Sequence, residues 1–410
     1  MARRGRSNPK YAAVEIVRRL RDAGHVALLA GGCVRDMLLN RPPDDYDVAT
    51  DAVPERVVDL FARTRQVGAQ FGVVLVRQAG VWTEVATFRS DLSYQDGRHP
   101  VGVTFSGPEE DAQRRDFTIN GMFYDPIADE VIDYVGGQDD LRAGVLRTIG
   151  PAEQRFAEDH LRLIRAVRFA SRFQFAVAPE TDQAIRRHAA DLSRVSAERI
   201  REELEKILAD RHRAGAVRQL GDLGLLDHLW PDADWTPQRV DLSARLLDGL
   251  PSGGSFGLAM ACLVIHWPGD RVNRICRDLT CSNELRKRVV WLVERRDTLL
   301  DADALGLADL KLLMAQPGFD DLLTFTRAWL EVTGQSRHPY DRIVERVRAI
   351  PPDEVAPVPF IDGEDLIELG LSPGPIFKRV LDHVYRAQLE GVIASKDAAM
   401  ALARDQADRA

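Results

Sequence analysis

Cysteine is scarce in this chain of 410 residues, which holds only Cys33, Cys262, Cys276 and Cys281, with no C-x-x-C pair among them. Neither a cysteine zinc site nor a disulfide framework is therefore expected, and a reducing cytoplasm fits. Long apolar runs are missing too. The longest, Phe256 to Trp267, is too short to cross a bilayer and reads as a core helix, so no membrane partner is expected. The opening Met1-Ala-Arg-Arg-Gly-Arg6 is basic, but no apolar segment follows, which argues against a secretory signal. There is also no surplus of positive charge: the net charge is −8, whereas nucleic-acid binders usually present a basic surface. The sign reverses locally, since residues 142 to 218 carry sixteen Arg or Lys against eleven acids.

What is present is organised around residues 28 to 50. An apolar run ends in Gly31-Gly32, Arg35 and Asp36 follow, and Asp45 and Asp47 stand one residue apart. Glycines after a strand let backbone N–H groups approach an anion, and a following helix adds partial positive charge. Carboxylates at i and i+2 of a strand share a face, the geometry that holds a divalent metal against phosphates. The two halves together indicate a metal-dependent nucleotide site.

At this length two to four units are expected. Residues 9 to 23 have apolar positions at helical spacing, closed by Gly24. His25 to Ala30 and Tyr46 to Ala49 read as strands, Val34 to Leu39 and Pro54 to Thr64 as helices. Phe71 to Val76 and Val81 to Phe88 read as a hairpin about Gln78-Ala-Gly80, and Val103 to Phe105 and Val131 to Tyr134 as short strands. The polar stretch Arg89 to Gly102 reads as a mobile loop. The fold class expected is α+β, with a mixed sheet and helices in a head over residues 1–150. After Pro151 the pattern is helical: a neck over 151–220 beginning with one helix from Arg155 to Arg172, a body over 221–350, and a tail over 351–410 behind a proline-rich linker, Pro351 to Pro359.

Three constellations carry chemistry. Asp45 and Asp47 alone could be a turn rich in Asp. Glu84, in Glu84-Val-Ala-Thr-Phe-Arg89, could join them from an adjacent strand as a three-carboxylate site for Mg²⁺. Arg114-Arg115-Asp116, opening Phe117-Thr-Ile-Asn120, offers guanidinium for phosphate and Asp or Asn for ribose hydroxyls, against the plainer reading of a solvated pair. On the third, Asp159 and Arg162 are followed by Arg165 and Arg168 at three-residue steps. That is either a charged solvent face or a base template. A carboxylate accepting from an exocyclic amine beside a guanidinium donating to a ring nitrogen would read cytosine and adenine, and refuse uracil and guanine.

These pieces in this order resemble the class II tRNA nucleotidyltransferase and bacterial poly(A) polymerase family, whose head is similar to the DNA polymerase β nucleotidyltransferase fold. The resemblance runs through Gly31-Gly-Cys-Val-Arg-Asp36, Asp45-Tyr-Asp47, Glu84 to Arg89, Arg114 to Asn120, Asp133 to Gly137, Glu158-Asp-x-x-Arg162 and Ser196-Ala-Glu-Arg-Ile200, across residues 28 to 208. It implies that Asp45 and Asp47 bind catalytic Mg²⁺, with Glu84 as third acid. Gly31, Gly32, Arg35, Asp36, Arg115, Asp116 and Asn120 would hold the nucleotide, Gly32, Arg35 and Arg115 chiefly by its phosphates. Asp159 and Arg162 would read the base, with Arg165 and Arg168 behind them. The implied partners are the tRNA 3′ acceptor end, CTP and ATP.

Within the family, Val67-Gly-Ala-Gln-Phe-Gly-Val-Val74 looks like the CCA-adding type, as does Ser196 to Ile200, while Glu109 to Asp116 fits a poly(A) polymerase equally well. An intact 89–102 stretch implies that A can be added. His266 is followed by Trp267 rather than Asp, so no HD phosphohydrolase signature is present. Poly(A) polymerase and an A-adding-only enzyme are the alternatives. A non-catalytic RNA-binding protein would have lost a metal carboxylate, and a small-molecule nucleotidyltransferase would need neither the Arg-bearing helix nor a long helical tail.

Overall fold

The computed structural model describes residues 8–66, 72–91, 102–301 and 304–408. They group into two compact units, Met1–Val240 and Asp241–Ala410.

In the first unit α1 (Pro9–Asp22) is capped by the Asn8 side chain on the Tyr11 N–H and buries Ala12, Ala13, Ile16, Val17 and Leu20. Strand β1 (Ala27–Ala30) is buried on both faces. It runs into α2 (Gly32–Leu38), β2 (Asp47–Thr50) and α3 (Pro54–Leu60). The helix expected to reach Thr64 stops at Leu60, because Phe61 is extended and Thr64–Gln66 forms β3. Strands β4 (Val73–Gln78) and β5 (Val81–Thr87) are the expected hairpin. Ala79 (φ 48°) and Gly80 (φ +84°) both take positive φ, matching a two-residue turn to the strands' twist. Phe71, and residues 92–101 of the stretch read as a mobile loop, lie outside the described residues. The flanks of that stretch pair as β6 (Arg89–Asp91) and β7 (Val103–Phe105).

Next come α4 (Pro108–Gln113), a 3₁₀ turn (Thr118–Asn120), β8 (Phe123–Asp125), β9 (Glu130–Ile132) and α5 (Gly137–Ala143). The seven-stranded sheet has the order β3-β4-β5-β2-β1-β8-β9. β2 and β5 are parallel, while the other neighbours are antiparallel. Leu28, Ala30, Ala49, Phe88, Ala112 and Phe123 form a core cluster, in which Phe88 and Phe123 meet edge to face at 5.7 Å. The mixed sheet with helices, followed by a mostly helical remainder, is the α+β class expected.

The helix expected from Arg155 to Arg172 is two helices, α6 (Ala152–Glu158) and α7 (Arg162–Phe173). Asp159 breaks it. Its backbone is extended (φ −144°, ψ 104°), and its side chain accepts from the Leu161 N–H at 3.1 Å, the local hydrogen bond by which Asp competes with a helix interior. α8 (Pro179–His188) and α9 (Ala197–Ala209) follow.

In the second unit the apolar stretch read as a core helix is one: Phe256–Leu263 is helical, with Gly257 to Leu263 buried. His266 packs edge to face on Trp267 and meets Ser243 Oγ at 3.0 Å, a packing role. The proline-rich segment is not only a linker, since Pro352–Val355 makes a one-turn helix whose Glu354 accepts from Lys311 at 3.4 Å. Beyond it, Asp362 and Asp365 form a reciprocal capping box over a small core of Ile361, Leu366, Val380, Val384, Ala399 and Ala403. Among the described residues no helix is long and apolar enough to cross a membrane.

Candidate active site

The β1–β2 register sets Ala30 opposite Asp47, which places the Gly31 turn beside the second carboxylate of the pair. Gly31 has φ +72°, and a Cβ there would lie 2.7 Å from Arg115 Nη1. The glycine therefore admits a guanidinium across the chain, in addition to freeing the backbone. Parallel pairing of Val48 with Val85 brings Glu84 level with Asp47 on the neighbouring strand.

Burial, then the charges of Asp45 and Glu84, push the Asp47 carboxyl up to about 7, opposed by Arg115. Neighbouring Cys33 is pushed up to about 12 by burial and the Asp47 charge, so it stays a neutral thiol. Crowded carboxylates short of compensating charge are the condition a bound cation relieves. Hard oxygen donors on Asp45 and Asp47 suit a divalent ion. Among the described residues, no group of three or more His, Cys, Asp or Glu is set to hold a metal. Asp45 and Asp47 line one cavity, with Glu84 beside Asp47 on the neighbouring strand.

Facing the pair is a cavity of about 570 Å³. Of the fourteen residues singled out from the sequence, twelve line it; Asp36 and Glu84 do not. Asp36 sits behind the wall and accepts from Arg35 Nε at 2.9 Å, while Arg35 Nη1 donates to Asn120 Oδ1 at 2.5 Å. Arg35 is only 5% exposed and lies 4.5 Å from the Phe173 ring centroid, so it builds the wall more than it reaches into the cavity. Burial raises the Asp116 carboxyl, but Arg165 (3.0 and 2.6 Å) and Asn120 Nδ2 (3.0 Å) outweigh it and hold it well below the usual carboxylate range. Asp116 therefore orients Arg165 and Asn120, and all of its charge is spoken for.

Asp159 and Arg162 both face the cavity but do not pair with each other. Arg162 donates to Glu158 Oε2 (2.8 Å) and to the carbonyls of Arg155 and Arg114. Asp159 accepts instead from Arg199 on α9, at 2.9 and 3.1 Å. Arg168 donates to Glu203 Oε2 at 2.5 Å and lies 4.1 Å from the Phe169 centroid. Arg162, Arg165 and Arg168 keep the three-residue steps read from the sequence on α7, but Asp159 lies outside that helix, and each guanidinium has its own acceptor.

Sequence reasoning gave no site role to Asp111, Glu158, Arg172, Arg199, Glu203 or Phe169. Asp111 clamps both Arg114 (2.9 and 2.7 Å) and Arg115 (3.2 and 3.0 Å). Against burial, these two guanidinium charges hold its carboxyl below the ordinary range. Glu203 is 2% exposed inside an otherwise amphipathic helix, and an acid on an apolar stripe was the available signal.

A carboxylate pair and a wall of guanidiniums line one space of nucleotide size, together with Asp159 and Arg162. Such a site takes a polyanion with a metal and can read a hydrogen-bonding edge.

Residues 27–147 match the family described as Poly A polymerase head domain, and residues 174–235 the one described as Probable RNA and SrmB-binding site of polymerase A. A CCA-adding enzyme of Geobacillus stearothermophilus is 33% identical over 407 residues, covering 95% of each chain. The solved structure of the Bacillus stearothermophilus CCA-adding enzyme in complex with CTP aligns at a TM-score of 0.82 and 30% identity, covering 99% of this chain and 100% of that one. The Thermotoga maritima CCA-adding enzyme complexed with tRNA shares the fold at a TM-score of 0.68 and 21% identity, over 97% and 96% of the two chains.

Proposed function

The chain belongs to the CCA-adding enzyme family, and from that premise we propose that the cavity described above is where CTP and ATP are added, one at a time, to the 3′ end of tRNA. The activity is template-independent addition or repair of the terminal CCA, with release of pyrophosphate. The observation that carries the site assignment is the convergence of twelve separately read residues, from Gly31 to Arg168, on one cavity that the carboxylate pair faces.

Asp45 and Asp47 would hold the divalent ion, which we take to be Mg²⁺. When bound, such an ion lowers the pKa of an attacking hydroxyl and neutralises charge on pyrophosphate. Arg115, crossing Gly31, and Arg165, fixed by Asp116, present donors to the triphosphate; Arg35 and Asn120 hold that wall in shape. Asp159 accepts from the exocyclic amine of cytosine or adenine, and Arg162 donates to the adjacent ring nitrogen. Uracil and guanine would set acceptor against acceptor and donor against donor. With little covalent chemistry left to the protein, rate comes from positioning and charge.

Residues 1–150 would serve as the head, 151–220 as the base-reading neck, 221–350 as the body, and 351–410 as a tail holding the tRNA. We take the enzyme to be cytoplasmic, a reading that its four free cysteines support.

The test is incorporation of labelled nucleotides by the purified chain into tRNA lacking its last three nucleotides. C, C and then A should be added. A long tail from ATP alone would make it a poly(A) polymerase, and use of ATP without CTP an A-adding enzyme.

A further inference from the structure

The sheet carries a second exposed feature on the other side of Asp47. In the strand order, β2 has β1 and the Gly31 turn on one side, and β5, β4 and β3 on the other. On β5 the side chains of Thr83, Val85 and Thr87 are buried, leaving Trp82 and Glu84 on the opposite, open face. Register places Arg77 opposite Trp82, and Arg65 and Leu75 in line with Glu84, all on that open face. Trp82 is 36% exposed. The Arg65 guanidinium lies 4.5 Å and that of Arg77 5.9 Å from its ring centroid. Among the described residues neither arginine has a carboxylate partner, and neither lines the nucleotide cavity.

An exposed indole flanked by two arginines without anions is the composition of a surface that stacks a base and meets its phosphates. Its position selects which strand. In-line transfer requires the attacking hydroxyl to come from the side away from the departing pyrophosphate. The guanidinium wall that receives the triphosphate stands on the β1 side of Asp47. The attacking strand therefore arrives from the β5 side, and Trp82 is two residues along the strand from Glu84, about 7 Å. We infer that Trp82, Arg65 and Arg77 form a docking platform for the 3′-terminal single-stranded nucleotides of the tRNA, stacking a base just behind the reacting end. The inference rests on the function proposed above and deepens it.

The test uses the full chain on tRNA lacking its last three nucleotides, with Trp82→Ala, Trp82→Phe and the double variant Arg65→Ala/Arg77→Ala. Trp82→Ala should raise KM for tRNA about tenfold, with kcat and KM for CTP within about twofold, and Trp82→Phe should recover most of the loss. Losing two phosphate contacts should make the log–log salt dependence of tRNA binding shallower by about 1.4. An unchanged KM for tRNA together with an unchanged salt slope overturns the platform, as does a rise in KM for CTP instead. Should Trp82→Ala lower the melting temperature, the double variant, whose side chains are exposed, carries the test. Failure of the unsubstituted chain to add C and A would remove the functional reading itself, a result distinct from failure of the variants.

Discussion

Arg199 donates through Nη2 to both carboxylate oxygens of Asp159, at 2.9 and 3.1 Å, from forty residues away in the sequence. The acid assigned to base reading is thus held by a guanidinium on a different helix, in place of the neighbour three residues along. Arg199→Ala should lower kcat/KM for both CTP and ATP about 10- to 100-fold, the size of one charge-assisted bond. It should also narrow discrimination against UTP, with Arg199→Lys in between. Single-nucleotide incorporation with each of the four triphosphates checks this; unchanged selectivity would show that Arg199 is only structural.

The carboxylate pair predicts a conflict between stability and turnover. Asp45→Ala or Asp47→Asn should reduce turnover at least about a thousandfold, roughly 4 kcal/mol of barrier. Asp47→Asn also removes a half-buried charge that Asp45 and Glu84 oppose, so the metal-free protein should gain about 1 kcal/mol. Thermal melts with and without Mg²⁺ would decide: the variant should start higher and lose the rise that the ion gives the unsubstituted chain.

Gly31→Ala would put a methyl group into the path of Arg115 at a backbone φ of +72°. We expect KM for both triphosphates to rise about tenfold, equivalent to about 1.4 kcal/mol, as Arg115 swings off Asn120 O. Steady-state kinetics with CTP and ATP varied separately tests it. A change confined to one of the two would be inconsistent, because a phosphate contact is blind to the base.

Acid should unfold the first unit through three carboxylates. Asp116, Asp111 and Glu203 are each held below their ordinary range when folded, by arginines that outweigh burial. Unfolded, such groups titrate near about 4. The unfolded chain therefore binds more protons as pH falls, and stability complete above roughly pH 5 is lost on the way down. Urea melts between about pH 6 and 3 should show this loss, and Asp116→Asn should flatten it while costing about 3 kcal/mol at neutral pH. A level profile for the unsubstituted chain would count against these pairs.

Much of this was legible in residue order. The strand, the Gly31 turn and the Asp45/Asp47 pair announce themselves by apolar run, glycine and charge spacing, and the hairpin by Ala79-Gly80. β3, Thr64-Arg-Gln66, has no apolar residue to mark it as a strand, whereas β7, equally short, was legible from Val103 and Phe105. The break at Asp159 was hidden because Arg162, Arg165 and Arg168 continue a helical rhythm through it, and a backbone turn made by one side chain leaves no periodic trace. Arg165 and Arg168 were read as pointing at ligand, because their acceptors Asp116 and Glu203 become neighbours only in three dimensions.

Phe169 and Phe173 stack with rings 9° from parallel, and the guanidiniums of Arg35, Arg165, Arg168, Arg41 and Arg172 surround them. This pair of rings acts as a spacer between like charges, three of which, Arg35, Arg165 and Arg168, are also paired with the carboxylates of Asp36, Asp116 and Glu203. The cavity wall nonetheless carries more guanidiniums than carboxylates, seven arginines against Asp45, Asp47, Asp116 and Asp159. A triphosphate entering the cavity offsets that excess as well as binding there, so nucleotide affinity and resistance to unfolding should rise and fall together.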